Sequence, residues 1–345
     1  MKTTETKLQS ILDKLIDNKK VFGTSFAIKK GDFVWSGNAG NFEPNQAYFI
    51  ASTTKLFTSA LIFKLRFEGK LNLEDKISIY LKPEIIQNLH IFKRVEYSEQ
   101  LTIKHLLAHT SGLPDYFQNK GKNGTSLEDE LINGNDQYWT FEQSIDRIKA
   151  MEPIFAPGTK GKAHYSDANY QLLGKIIETI SGKTYAENSR KFIIQALDLQ
   201  HTYLYQDASD TIPKTLYYKD KPLPIQKAMT SFGPDGGIVS TSEDMLKFIE
   251  AFMTGVLFPA SNISEIQEWN KIFFPMQAGI GIHLFKLPWY FNPFGTVHYF
   301  IGHSGLSGAL AYYCPNKKLY VVGTVNQLAY NDLSFRTMIK IALNF

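Results

Sequence analysis

A length of 345 residues is enough for one large α/β domain carrying an insertion. Hydrophobic residues at 43% and charged residues at 20% describe a soluble globular chain and exclude wholesale disorder. The 37 basic and 33 acidic residues leave a net charge of +4 with no basic block, so neither nucleic acid nor a membrane surface is expected as a partner. Cys314 is the sole cysteine, which excludes an intrachain disulfide and a cysteine metal cluster; in the apolar run Leu310-Ala311-Tyr312-Tyr313-Cys314 it reads as an inert buried thiol.

At the N-terminus, Leu8, Ile11, Leu12, Leu15 and Ile16 recur at helical spacing and predict an amphipathic helix ending near Asn18-Lys19-Lys20. The stretch lacks a signal peptide's apolar core, which implies a cytoplasmic protein if this terminus is native and an exported one if a signal has been removed. Strands are predicted at 24–30 and 33–37, joined by the Gly31-Asp32 turn, and a largely buried helix at 53–67, stopped by Gly69. From about 70 to 235 helical patterns (103–108, 141–150, 170–180, 185–196) alternate with Gly/Pro/Asn loops. Beyond Gly236-Gly237 a helix at 242–252 precedes strand-like stretches at 279–285, 296–302, 308–314 and 319–326, and a helix at 335–343 closes the chain. No apolar run is long enough to span a bilayer.

The expected fold is therefore α/β of the α+β kind: one sheet built from both termini, antiparallel where turns link the C-terminal strands, and flanked by helices. Residues 1–345 would form a single catalytic domain, with 1–70 and 235–345 as its α/β part and 71–234 as a mostly helical insertion. A site belongs in the cleft between the two.

Ser52-Thr53-Thr54-Lys55 is the only S-x-x-K in the chain. On a helix, positions i and i+3 share a face, so hydroxyl and amine can meet. Ser52 would also stand at a helix N-terminus, where free N–H groups favour negative charge on its oxygen. A lysine beside Leu56 and Phe57 is costly to keep charged and suits a base or proton relay. Gly302-His303-Ser304-Gly305-Leu306-Ser307-Gly308 lies between two strand patterns, and glycines at that density let a backbone approach another group closely. Tyr165-Ser166-Asp167 falls on a loop at a helix start.

In order and approximate spacing, Ser52-Thr53-Thr54-Lys55, Tyr165-Ser166-Asp167 and His303-Ser304-Gly305 resemble the three active-site elements of the class C β-lactamase-like family, which includes D-alanyl-D-alanine carboxypeptidases, penicillin-binding proteins and esterases. Further stretches resemble its landmarks: Leu106-Leu107-Ala108-His109-Thr110-Ser111-Gly112-Leu113-Pro114, Phe155-Ala156-Pro157-Gly158 and Gly236-Gly237-Ile238-Val239-Ser240-Thr241. The resemblance implies a serine hydrolase: Ser52 becomes acylated, Lys55 and Tyr165 share its proton with the formal base left open, and the N–H groups of Ser52 and Leu306 form the oxyanion hole. It also implies that His303, Ser304 and Gly305 meet the far end of a small-molecule substrate: an ester, a D-amino-acid peptide or a β-lactam. Neither metal nor cofactor is implied, and oligomeric state is left open.

Two departures bear on substrate. Asp167 stands where the family usually has Asn, and an ionised carboxylate accepts hydrogen bonds but donates none. It should hold Lys55 charged and offers no donor to an acylamino group, which ranks ester or carboxypeptidase-like hydrolysis ahead of β-lactamase activity. His303 replaces Lys, and if it binds an anionic group, substrate affinity should weaken as pH rises through about 6–7. The aromatic-rich stretch 289–300 is a candidate groove wall.

Rival chemistries lack their residues. His105 and His109 have zinc-pair spacing, but Leu106 stands where the accompanying Glu belongs, so packing or hydrogen bonding is expected of His109. There is no G-x-S-x-G and no Walker loop. The alternative from another class is a penicillin-recognising sensor or scaffold that labels once without turnover.

Overall fold

The computed structural model describes residues 3–122, 124–259, 261–287 and 295–345. Helix α1 (Thr4–Asp13) is capped by the Thr3 side chain, which accepts from the Thr6 N–H, and buries Leu8 and Leu12. It stops sooner than its apolar spacing suggests. Asp17 Oδ1 accepts from the N–H groups of Lys19, Lys20 and Val21 at 3.0, 2.8 and 3.0 Å, closing a turn that competes with helix.

Eight strands form one antiparallel sheet: β1 (Gly23–Lys30), β2 (Phe33–Gly40), β3 (Asn270–Phe273), β4 (Met276–Ala278), β5 (His283–Lys286), β6 (Tyr299–Ser304), β7 (Ala309–Cys314) and β8 (Leu319–Thr324). Their order is β3-β4-β5-β6-β7-β8-β1-β2. Both ends of the chain therefore supply the sheet, as expected, and β1 joins β8 in a register that sets Ser25 opposite Thr324. Alternation decides the two faces. Phe26 and Ile28 of β1, with Leu310, Tyr312 and Cys314 of β7, pack with α1 and the closing helix α6 (Asp332–Leu343) in one core. Ala27, Ala309 and Ala311 face the other core, shared with α2 (Lys55–Phe67), α5 (Ser242–Thr254) and the segments in between.

Strands β3 and β4 are not visible in the sequence reading, and the segment 279–282, read there as strand, is a connection. Gly281 takes φ +74°, and the Gly279 N–H bonds the Ile282 carbonyl at 2.7 Å. The Gly-Ile-Gly-Ile alternation mimics a strand, but Gly281 is needed because a Cβ there would lie 2.6 Å from Ser59 Oγ. Between α2 and α5 the chain forms short helices, including α3 (Ile103–Leu107), and the long α4 (Asp167–Ser181). A second, three-stranded antiparallel sheet sets Ile238–Ser240 between Tyr48–Phe49 and Tyr203–Leu204. It draws the loop before Ile238 against the start of α2: the Ile50 N–H bonds the Ile238 carbonyl at 3.1 Å, and the Ile238 N–H bonds Thr54 Oγ1 at 3.1 Å. No helix among the described residues is long and apolar enough to cross a membrane.

Candidate active site

Ser52 lies in a 3-10 turn, Ala51–Thr54, that leads into α2, so the regular helix begins at Lys55 rather than at Thr53. Ala51 takes φ +46°, a left-handed conformation that a residue with a side chain adopts at a cost. That bend ends the Tyr48–Phe49 strand and turns Ser52 toward the cleft. Lys55 is fully buried, and its Nζ reaches three oxygens: Ser52 Oγ at 3.2 Å, Asp167 Oδ1 at 2.6 Å and the Asp235 carbonyl at 2.6 Å. Three acceptors match the three N–H donors of an ammonium. The rings of Tyr165 and Tyr170 flank it, 5.1 and 5.4 Å from Nζ to centroid.

Tyr165 precedes α4 on an extended loop, and its hydroxyl donates to Ser52 Oγ at 2.8 Å. His109, itself at φ +56°, holds that loop. Its carbonyl accepts from the His164 N–H at 2.9 Å, its Nδ1 accepts from the Ser166 N–H at 3.2 Å, and its ring stacks on Tyr165 at 4.7 Å. His105 instead takes the Thr102 N–H on Nδ1 at 3.2 Å as part of the α3 cap, so the two histidines serve separate hydrogen-bonding tasks. Burial, then the negative charge of Asp167, push the Tyr165 phenol well above its ordinary value, so it stands as a neutral donor to Ser52.

Three buried carboxyl groups cluster at the second motif, with Asp167 on Lys55 and Asp115 and Asp235 near Asp167, and the last two carry no mark in the sequence. Asp115 accepts N–H bonds from Phe117, Gln118 and Asp167, each at 2.7 Å; burial and then the Asp167 charge nevertheless raise it to about 7. Asp235 Oδ2 accepts from the Tyr116 hydroxyl at 2.7 Å and from Gln171 Nε2 at 3.1 Å, while its buried Oδ1 has no partner among the described residues. Burial first, and Asp167 second, push it well above the carboxylate range. Burial and the Asp167 charge thus both work against a second ionised carboxylate beside Lys55.

The third motif sits at the end of β6. Gly305 is required by closeness: a Cβ there would lie 2.5 Å from the Ile50 carbonyl, 2.9 Å from Ala51 Cβ and 3.2 Å from Ser52 N. Neither the Ser52 nor the Leu306 backbone N–H has an acceptor among the described residues. His303 departs from expectation. Its Nδ1 faces the Ser304 carbonyl at 2.8 Å, which requires the proton on Nδ1. His283, which the sequence did not single out, stacks on it at 3.9 Å. Burial, then the neighbouring His283 and Lys55, hold His303 well below its usual value, a direction that works against a charge on this ring.

Two cavities meet at Ser52 and Leu306. One is an open groove of about 540 Å³ that is also lined by Tyr165, His283, His303, Ser304 and Gly305; the other is a small apolar pocket of about 50 Å³ bounded by Asp167, Asp235 and Phe232. In the candidate wall 289–300, residues 289–294 lie outside the described residues, and Phe300 is buried in the core behind the sheet.

The sheet and its flanking helices define a protein of the β-lactamase and penicillin-binding-protein fold. Residues 8–342 match the Beta-lactamase family, and the chain belongs to it. A D-stereospecific amidohydrolase from Streptomyces sp. superposes with a TM-score of 0.79 at 24% identity, covering 97% of both chains. The octameric penicillin-binding protein homologue from Pyrococcus abyssi gives 0.76 at 28% identity, covering 98% of this chain and 76% of that one. The teichoic acid D-alanine hydrolase of Staphylococcus aureus (strain MRSA252) is 28% identical over 262 residues, 72% of this chain and 58% of that protein. The chain spans between 34% and 62% of the length of the curated relatives it matches.

Proposed function

We propose that this protein is a serine hydrolase that cleaves a small ester or amide through an acyl-enzyme on Ser52. The observation that carries the reading is the convergence of the Tyr165 hydroxyl and Lys55 Nζ on Ser52 Oγ, at 2.8 and 3.2 Å. Ser52 Oγ attacks the substrate carbonyl, and its proton passes through the Tyr165–Lys55 pair to the departing alcohol or amine. The oxyanion is received by the N–H groups of Ser52 and Leu306, fixed in place before charge develops. Water then attacks the acyl carbon, returns a proton to Ser52 and frees the acid. The names of similar proteins, a D-alanine hydrolase and a D-stereospecific amidohydrolase, support this class of chemistry. Asp167 spends its carboxylate on Lys55 and gives no donor to an acylamino carbonyl, which places simple esters and amides ahead of β-lactams.

The test is intact-mass analysis and turnover with chromogenic short-chain esters and, separately, a fluorescent penicillin. Ester turnover with a transient adduct that Ser52→Ala abolishes is the expected result. An adduct that persists in Ser52→Ala removes Ser52 from the mechanism, and a single labelling without turnover establishes a sensor instead.

A further inference from the structure

The groove running from Ser52 past Ser304 offers no buried charge free to meet an anion. His303 is buried, and its single proton is committed to the Ser304 carbonyl, so it presents neither a positive charge nor a free donor. His283 stacks on it at 3.9 Å, and two imidazolium rings at that distance would repel one another. Burial holds both rings below their ordinary values, His283 at about 3. The buried cation of the site, Lys55, has all three donors occupied. At the rim Arg336 is exposed and held by Asp332 at 2.8 Å. Asp332 also lies on the first turn of α6, where it opposes any pull of the helix dipole on an anion. The rest of the wall is mostly apolar, with Gln118 and Asn331 as its uncharged polar members: Phe273, Phe274, Met276, Phe285, Phe335 and Ile339 line it, with Phe273 and Phe274 standing 58% and 79% exposed at the β3–β4 turn.

We propose that this groove selects substrates whose portion beyond Ser304 is uncharged and apolar, an alkyl or aryl ester or amide, and rejects those ending in a carboxylate, with His303 and His283 as the specificity-determining residues. The inference rests on the acyl-enzyme reading and adds the substrate class to it. A free carboxylate held beside Ser304 loses its water and finds no buried counter-charge there. An alkyl or aryl group instead sheds apolar surface onto the phenylalanine side chains.

The experiment uses one acyl group with three leaving groups: one ending in a carboxylate, its carboxamide, and an alkyl ester series of increasing length. The expected kcat/KM is at least tenfold higher for the carboxamide than for the carboxylate, and it rises roughly three- to fourfold per methylene until the groove is filled. Phe335→Ala is expected to flatten that rise. His303→Lys is expected to shift the carboxylate-to-carboxamide ratio toward the carboxylate, a comparison within one variant that cancels any general loss of activity. A wild-type preference for the carboxylate, or a flat chain-length series, overturns the inference even if turnover depends on Ser52. Turnover that survives Ser52→Ala overturns the acyl-enzyme reading instead.

Discussion

At the scale of single residues, the site is a buried lysine shared between a nucleophile and a carboxylate. Tyr165→Phe removes the hydroxyl from Ser52 Oγ while keeping the ring between His109 and Lys55, so kcat for an ester is expected to fall about 10²–10⁴-fold with little change in melting temperature. An unchanged kcat would take the phenol out of proton transfer. Asp167→Asn restores an amide donor at the second motif; its acylation by a penicillin should rise about tenfold relative to its acylation by a simple ester, read by adduct formation over time. The buried titrating groups pull stability in opposite directions. His283 is held at about 3 against 6.5 for an exposed imidazole, so between those values the unfolded chain binds the extra proton and stability falls as pH drops below 6.5. Asp115, at about 7 against 3.8, binds its extra proton in the folded chain, and its contribution falls as pH rises from about 4 to 7. Each effect reaches at most about 1.4 kcal/mol per pH unit. In urea denaturation, His283→Phe should lessen the loss of stability from pH 6.5 to 5, and Asp115→Asn the loss from pH 5 to 7. Unaltered pH slopes would contradict these assignments.

At the scale of elements, the nucleophile turn and the end of β6 touch through a residue that has no side chain. Gly305→Ala forces a Cβ against the Ile50 carbonyl and Ser52 N, so the two backbone donors must separate. A loss of about 10²–10³-fold in kcat is expected, with KM much less affected; equal activity in the variant would show that the strand can yield without cost. Legibility in the sequence followed the same division. Ser52 and Lys55 are three positions apart, and their meeting follows from local geometry, as does the placement of Tyr165 just before α4. Asp115, Asp235 and His283 carry no local mark, because each reaches the site through a tertiary contact: Asp115 through the Asp167 N–H, Asp235 through the loop before the small sheet and His283 through β5. His303 was legible as a residue but not its surroundings, since the ring stacked on it, His283, arrives only through the pairing of β5 with β6. Strands β3 and β4 are four and three residues long, too short for alternation to register.

At the scale of the whole molecule, the helix that follows the nucleophile is fastened to the sheet through α5. Phe57 of α2 stacks on Phe248 of α5 with ring centroids 3.8 Å apart and planes 7° from parallel. Both rings are fully buried, so Phe57→Ala is expected to cost about 3–5 kcal/mol of unfolding free energy, measured by chemical denaturation, although the residue touches no substrate. A loss below 1 kcal/mol would mean that the site does not depend on this packing. The antiparallel sheet was readable from the alternation and turn signals at both ends of the sequence, whereas the order of its strands was not, since order is set by which edges find each other. That order has a consequence for biosynthesis. The hairpin of β1 and β2 is complete once residue 40 has left the ribosome, but the partner of β1 is β8, whose last residue is 324. For the whole interval the outer rim of a nascent two-stranded ribbon, with Phe26 and Ile28 on one side, lacks its neighbour. Translation must therefore run nearly to the end before the nucleophile's scaffold can close, and a truncated product ending before residue 319 should fail to hold its first hairpin in place.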